Sequence, residues 1–450
     1  MKLGASYAEA RVEERWGTVL ELKNGTLEKA IHGRERGACV RVLVKGRWGF
    51  FSTNRLGESL LGGVETAVKL ARSGSAAPGE QLRIDERKTA NGKRILSPKK
   101  DPHGVSVDEK HELLKDMDSR MRAVEGITSA TSVYTDGTRS VRMITSSGGD
   151  AYSEETRVVA QGVLVAREAA DILGYRFRLG HVGGMELFEK EDPLEKSRNA
   201  AEAAVRLLHA KRGPAGHFPL IADPELTGVF IHEALGHAAE GDLVATGGSV
   251  LSGRIGETLG PENLYVYDDP TYEGGFGSYA FDQEATPTSK KMLIEAGVLR
   301  TFLLDRESSA ALGIEPNGSA RAQDHESRPL VRMSNTYIGE GDMGFDEMVS
   351  GVKFGVYAKG TRGGQVDPTK GSFQFGAQEA YLIEGGEITT PLRDVSLSGN
   401  ILEILMNIDG IGDDMKLGDP GFCGKGGQLV PVGDGGPHIR IARATVGGGG

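Results

Sequence analysis

The chain has 450 residues, 38% of them apolar and 26% charged, with a formal net charge of −10. That is long enough for two or three domains with a sizeable core, in an ordinary globular composition. The acidic balance leaves no basic footprint for nucleic acid, and two distant cysteines, Cys39 and Cys423, exclude a disulfide scaffold and fit a reducing compartment.

No run of 18 apolar residues spans a membrane, and the first residues turn polar too soon for a signal peptide. A cytoplasmic, enzyme-sized protein is expected. Glycine is frequent, at 66 residues, and concentrates after residue 360, which points to turns and close backbone approaches.

Residues 5 to 52 read as short alternating strands, Ala8–Glu13, Thr18–Lys23 and Ala38–Val44, with Asn24-Gly25 as a hairpin turn signal. Cys39 falls inside the third and reads as a buried structural thiol. Residues 57 to 72 suit an amphipathic helix, and the polar stretch 74 to 105 a connecting loop where the first domain could subdivide. A second helix is expected from Asp108 to Ala123, with Leu113, Leu114 and Met117 on one face. Strands follow at Ile127–Thr135, Ser140–Thr145 and Arg157–Ala166, with a turn at Thr145–Asp150, and residues 193 to 211 form an Ala-rich helix. Strands alternating with helices, and antiparallel hairpins, favour an α+β class. Lys211-Arg-Gly-Pro-Ala-Gly216 is the best boundary between an N-terminal α+β domain, 1–211, and a mainly-β C-terminal domain, 212–450, that carries one helix of chemical interest.

That helix follows Phe218-Pro-Leu-Ile-Ala-Asp223 and holds Val229-Phe-Ile-His-Glu-Ala-Leu-Gly-His-Ala-Ala-Glu-Gly-Asp242. Asp223 suits the N-cap, Pro224 the first helical position, Glu225 the positive end of the dipole, and Gly241 a stop. His232 and His237 are potential metal ligands, and Glu233 beside the first could take a proton from an activated water. Their spacing is i and i+5, which on a regular helix sets the rings roughly 140° apart. A π-bulge would return them to one face, and Gly236 could permit it. The pair His-Glu also occurs at His111-Glu112 and His325-Glu326, so the dipeptide alone decides little. The alternative is a helix with one buried and one solvated histidine.

Beyond the helix come short strands and glycine turns: Val298–Leu304, Arg332–Ile338, Gly371–Leu382 and Pro437–Val446. A catalytic zinc needs a third protein ligand and an open position. His325, Cys423, His438 and several carboxylates are available. Cys423, in a glycine-rich loop beside Lys425, could bind a metal as thiolate, or be a surface or redox-active thiol.

Several segments resemble, in order, the TldD/PmbA family, in its TldD-type branch that carries the protease motif. They are His232–Asp242, Arg328-Pro-Leu-Val-Arg-Met-Ser-Asn-Thr-Tyr-Ile338, Gly363-Gly-Gln-Val-Asp367, Gly376-Ala-Gln-Glu-Ala-Tyr-Leu-Ile-Glu384, Gly412-Asp-Asp-Met-Lys416, Cys423-Gly-Lys-Gly-Gly-Gln428 and the terminal Thr445-Val-Gly-Gly. The resemblance is collinear over nearly the whole chain. It implies a zinc-dependent metalloprotease acting on unfolded or small peptides, in a family first named as modulators of DNA gyrase. It implies zinc ligands at His232 and His237 of the HExxxH motif, a third at Cys423, and the general acid/base at Glu233. It also implies a dimer, either of identical chains or with a PmbA-type non-catalytic partner.

On that reading, His438, Arg332 and Tyr337 are candidate oxyanion donors, and His438, Arg332 and Gln365 candidate substrate-binding residues. An extended peptide could add to a strand edge near Gly363–Asp367, in an enclosed site completed by dimerisation. Rival readings are a non-enzymatic metal-containing regulator of gyrase or a toxin–antitoxin pair, a closed structural centre with Glu240 or Asp242 as fourth ligand, and an amidase for a non-peptide substrate.

Overall fold

The computed structural model describes residues 3–73 and 82–448. The first part of the loop expected at 74–105 and the last two glycines of the tail lie outside these. The N-terminal half is built on seven strands: β1 (Tyr7–Lys23), β2 (Thr26–Val44), β3 (Arg47–Thr53), β4 (Asn91–Leu96), β5 (Ile127–Thr145), β6 (Asp150–Glu168) and β7 (Asp171–Val182). They are ordered β3-β2-β1-β5-β6-β4, with β7 also on β6, and all pairs are antiparallel except β4 with β6. Asn24 and Gly25, at φ 49° and 82°, make the two-residue turn between β1 and β2.

The strands run longer than the apolar alternation suggests. β5 continues unbroken through Asp136-Gly-Thr-Arg139, where Gly17 faces Gly137. A Cβ on Gly17 would stand 2.2 Å from the Asp136 carbonyl oxygen. Asp136 itself is buried and accepts from the Thr18 N–H at 3.1 Å, the Tyr134 hydroxyl at 2.8 Å and Lys110 Nζ at 2.6 Å. A partnered carboxylate can therefore sit in mid-strand where it would otherwise signal a turn. Part of the expected 74–105 loop is strand β4, whose first five residues are exposed; ladder bonds to β6 hold it, and burial contributes little. β7 lies in a stretch that carried no sequence assignment, though Leu173, Phe177 and Leu179 alternate inward along it.

Two helices, Val107–Arg122 and Pro193–Leu208, cover this sheet. Ser106 and Glu109 cap the first reciprocally. Leu114, Met117, Met121 and Leu207 pack on Leu20, Tyr134 and Phe177.

In the C-terminal half, strands Phe354–Asp367, Gly216–Ala222, Ile439–Gly448, Val395–Asn400 and Ser372–Glu384 pair in that order, and the last pairs back on the first. The sheet thereby closes on itself. A further sheet contains Asn335–Ile338, Gln428–Gly436 and Gly421–Lys425. The helix Pro224–Ile231 is packed between the two, with Phe230 against Phe373 at 5.7 Å between ring centroids. The expected strand at Val298–Leu304 is short, Val298–Leu299, and that at Arg332–Ile338 begins only at Asn335. Arg332 is fully buried, and its guanidinium is turned to main-chain carbonyls. The architecture is α+β throughout. Among the described residues no helix is long and apolar enough to cross a membrane.

Arginines join the halves by donating to main-chain carbonyls. Arg157 bonds Phe276 O at 2.9 Å and Ser278 O at 2.7 Å, and the buried Arg306 bonds Asp85 O at 2.9 Å and Lys88 O at 2.7 Å. The Arg178 N–H donates to Asp419 Oδ2 at 2.8 Å, and the Val182 N–H to Gly274 O at 3.2 Å. β7 is thus laid along the C-terminal half.

Candidate metal centre

The helix that carries the histidines starts as its sequence suggests. Asp223 accepts from the Leu226 N–H at 2.8 Å, with Pro224 in the first turn. Gly228 seats the helix directly on strand Gln428–Gly436, because a Cβ there would stand 2.4 Å from the Gly435 nitrogen. Over His232–Gly236 the helix widens into a π-turn, and the His237 N–H bonds His232 O, five residues back, at 3.2 Å.

The wider turn cancels the rotation a regular helix would impose. The two rings stand 5.3 Å apart between centroids, nearly perpendicular at 85°. Gly236 leaves room for Met333: a Cβ would stand 2.0 Å from its Sδ, so that side chain would have to move. Gly241 is no stop signal. It opens a second short helix, Gly241–Ala245, with its N–H bonded to Leu303 O at 2.8 Å.

Cys423 sits in strand Gly421–Lys425 opposite Val430 of strand Gln428–Gly436, the strand on which the helix rests. Its Sγ consequently lies 3.5 Å from His237 Nε2. Ligand atoms of His232, His237 and Cys423 all fall within 4.8 Å of one another, the one such group among the described residues. Nitrogen and sulfur ligands tetrahedrally placed on one zinc would be about 3.6 Å apart, from bond lengths of about 2.1 and 2.3 Å.

Carboxylates surround this trio. Glu240 Oε2 is 3.3 Å from His237 Nδ1, on the side of the ring away from Cys423, and 3.1 Å from Lys425 Nζ. Lys425 also holds Asp242 at 2.7 Å and bonds Val331 O at 3.1 Å. Glu240 and Asp242 are thus engaged outside the ligand sphere, which argues against a closed four-ligand centre. Asp434 Oδ2 lies 3.8 Å from His232 Nδ1, a buried nitrogen with no hydrogen bond. Glu233 Oε2 is 3.7 Å from His237 Nε2.

Burial opposes charge on each member of the trio, yet the neighbours prevail. The two imidazoles bring the Cys423 thiol down to about 4. The Cys423 thiolate, with Glu233, lifts His232 to about 8, and Cys423 with Glu240 lifts His237 well above the ordinary range. Asp434 is pushed up to about 6 by burial, with Glu233 adding to it. A thiolate with protons gathered around it marks a place where positive charge is favoured. Two imidazoles and a thiolate suit a borderline-soft cation such as zinc.

The trio and Glu233 open on a cleft of about 780 Å³, which Gly363-Gly-Gln-Val366 also lines, so Gln365 is at the site. Arg332 is behind it, its guanidinium bonding Cys423 O and Gln428 O. His438 is held between Asp414 at 2.6 Å and Tyr357 at 3.0 Å, and does not line the cleft. Tyr337 packs with Tyr267 and Tyr272, and His325 is buried against Gly37; neither lines the cleft. The sequence reading did not single out Asp434, Arg176 or Arg178, which do. The arginines could be found from their i, i+2 spacing in a strand; Asp434 has no local signal.

Three stretches of the chain match the models of one family: residues 8–71 the PmbA/TldA metallopeptidase domain 1, residues 100–208 its central domain and residues 215–448 its C-terminal domain. A metalloprotease of Methanothermobacter thermautotrophicus is 44% identical over 448 residues, 98% of this chain and 95% of that one. A zinc metalloprotease TldD homolog of Saccharolobus solfataricus is 29% identical over 468 residues, 99% and 98% of the two chains. The solved structure of TldE from Thermococcus kodakarensis shares the fold, with a TM-score of 0.79 at 19% identity over 99% of this chain and 98% of that one.

Proposed function

The chain belongs to the PmbA/TldA metallopeptidase family, the TldD/PmbA family of its sequence resemblance, and on that premise we propose that it is a zinc-dependent peptidase of unfolded or small peptides. His232, His237 and Cys423 would hold the ion, and Glu233 would be the general acid/base. The observation that carries this reading is the π-turn, which puts both histidines within 4.8 Å of Cys423 with Glu233 alongside. When bound, zinc supplies a Lewis acid for a water and for the scissile carbonyl.

The protein groups do the rest. Glu233 takes the proton of the attacking water and delivers it to the leaving amine nitrogen. Glu240 accepts from His237 Nδ1 and so reserves Nε2 as the ligand atom; Asp434 lies 3.8 Å from His232 Nδ1, too far to hydrogen-bond it. Strand Phe354–Asp367 pairs with Ser372–Glu384 along one edge, whereas its pairing with Gly216–Ala222 on the other covers only Val356–Ala358. The main chain of Gly363–Val366 is thereby left facing the cleft. An extended peptide would add to that edge through main-chain hydrogen bonds, which favours unfolded substrates of varied sequence. The proposal includes a cytoplasmic dimer, with an identical chain or a PmbA-type non-catalytic partner enclosing the site.

The test is metal content and peptide hydrolysis, for the natural protein and for Cys423→Ser. About one zinc per chain, lost or weakened together with activity in the variant, is the expected result. Full metal and normal activity in Cys423→Ser would remove Cys423 from the site. A zinc-loaded protein inert to every peptide would favour the non-enzymatic regulator.

A further inference from the structure

Two arginines reach the cleft from the N-terminal half. Arg176 and Arg178 are two residues apart on β7 and therefore project from one face of it. Both line the cleft that contains His232, Glu233 and Cys423. Arg176 Nη2 donates to Thr361 O at 3.2 Å; Arg178 donates to Gln161 Oε1 at 2.9 Å and to Pro420 O at 2.8 Å. All three acceptors are neutral, and among the described residues neither guanidinium forms a salt bridge.

The acids nearby do not fill that role. Asp419 is engaged by the Arg178 N–H at 2.8 Å and by Lys196 Nζ at 3.0 Å. Glu225 lines the adjoining part of the cleft, where burial and the surrounding carboxylates hold its carboxyl well above the usual range. Arg178 is held below its ordinary value by burial and by Arg176 beside it. Two neighbouring guanidiniums, Arg178 partly buried and Arg176 exposed, with no salt-bridge partner among the described residues, leave a place for an anionic ligand.

Their anchoring points give the direction. Thr361 lies just before the open edge Gly363–Val366, and Pro420 just before the strand that bears Cys423. The pair therefore sits at one end of the groove between these strands. Resting on the peptidase reading, we propose that Arg176 and Arg178 form a carboxylate subsite that docks one end of an extended peptide substrate. The carboxylate is either the C-terminus of the peptide or an Asp or Glu side chain near the scissile bond. Arg presents a planar fork to either one.

Three fluorescent peptides of one neutral sequence test this: the free acid, the C-terminal amide, and the amide with one internal Glu. Binding to zinc-loaded protein is read by anisotropy in a Glu233→Gln background, so that turnover does not intervene. The free acid or the Glu peptide is expected to bind roughly tenfold or more tightly than the plain amide, because a charge-assisted hydrogen bond is at stake. Arg176→Gln should reduce the preference to about threefold or less. Arg176 is exposed and bonded only to the Thr361 carbonyl, so this variant should fold and load zinc normally. A preference confined to the free acid identifies the terminus; one restored by Glu in the amide identifies the side chain. Equal binding of all three peptides, or a preference that survives Arg176→Gln combined with Arg178→Gln, overturns the subsite. Hydrolysis of the same peptides by the natural protein separates the two readings. Cleavage without a carboxylate preference leaves the peptidase and removes the subsite, and a preference without cleavage does the reverse.

Discussion

Lys425→Met would test what holds the ligand-bearing segments together. Lys425 Nζ contacts Glu240 at 3.1 Å, Asp242 at 2.7 Å and Val331 O at 3.1 Å, tying the strand of Cys423 to the turn that follows His237. Methionine keeps the length of the side chain and removes its charge. The Glu240 side chain is 1% exposed and would keep only the His237 Nδ1–H as donor. Removing one partner of a fully buried pair costs about 3–5 kcal/mol. Lys425 is 17% exposed and His237 still donates, so we expect about 2 kcal/mol, read as a lowered urea midpoint of the metal-free protein. In the double variant with Glu240→Gln the stranded carboxylate is gone, and about 1 kcal/mol or more should return. Zinc affinity should fall about tenfold or more in Lys425→Met, since Glu240, which orients His237, loses its anchor. A single variant within about 0.5 kcal/mol of the natural protein, or a double variant whose losses simply add, would refute the clasp.

Glu233→Gln should keep its zinc and lose about a hundredfold or more in kcat; activity within about tenfold of the natural protein would sink the general acid/base assignment. Gly228→Ala forces a methyl against the Gly435 backbone and should cost about 2 kcal/mol while weakening zinc binding; unchanged melting and zinc titration would show that the helix is not seated there. Asp305 caps the helix Arg306–Leu312, and burial, with Glu284 adding to it, pushes its carboxyl up to about 7. Because folding raises this value, the native state retains a proton that the unfolded chain has lost above about pH 4. Its contribution to stability is therefore greatest in acid and declines as pH climbs from about 4 through 7. Asp305→Asn preserves the cap oxygen, and relative to the natural protein should gain on the order of 4 kcal/mol between pH 4 and pH 8. Parallel stability curves across that range would contradict it.

The parts legible in the sequence are those decided locally. Asn24-Gly25 turns a hairpin, Asp223 and Pro224 start the helix, and the i+5 histidine spacing with Gly236 admits, without requiring, the π-turn that is present. Elements held by distant partners were not legible. β4 has no buried face to announce it, and β5 passes through Asp136-Gly137 because Lys110 and Tyr134 satisfy the carboxylate. The neighbourhood of Cys423 depends on the register of Gly421–Lys425 against Gln428–Gly436 and on the seating of Gly228 against Gly435. No periodicity encodes such a meeting. Asp434 arrives beside His232 by the same route, as the strand on which the helix rests runs past the ring.

His237 and Cys423 are 186 positions apart, and the strand after Cys423 carries Asp434. At ribosomal speeds of roughly 5–20 residues per second, the cysteine follows the histidines by about 10–40 s. The strands Gln428–Gly436 and Ile439–Gly448, which support the helix and close the C-terminal sheet, emerge later still. A nascent chain thus has the histidine helix long before it can assemble the donor set. Whatever chemistry the donor set supports therefore stays unavailable during synthesis, until the last strands are in place.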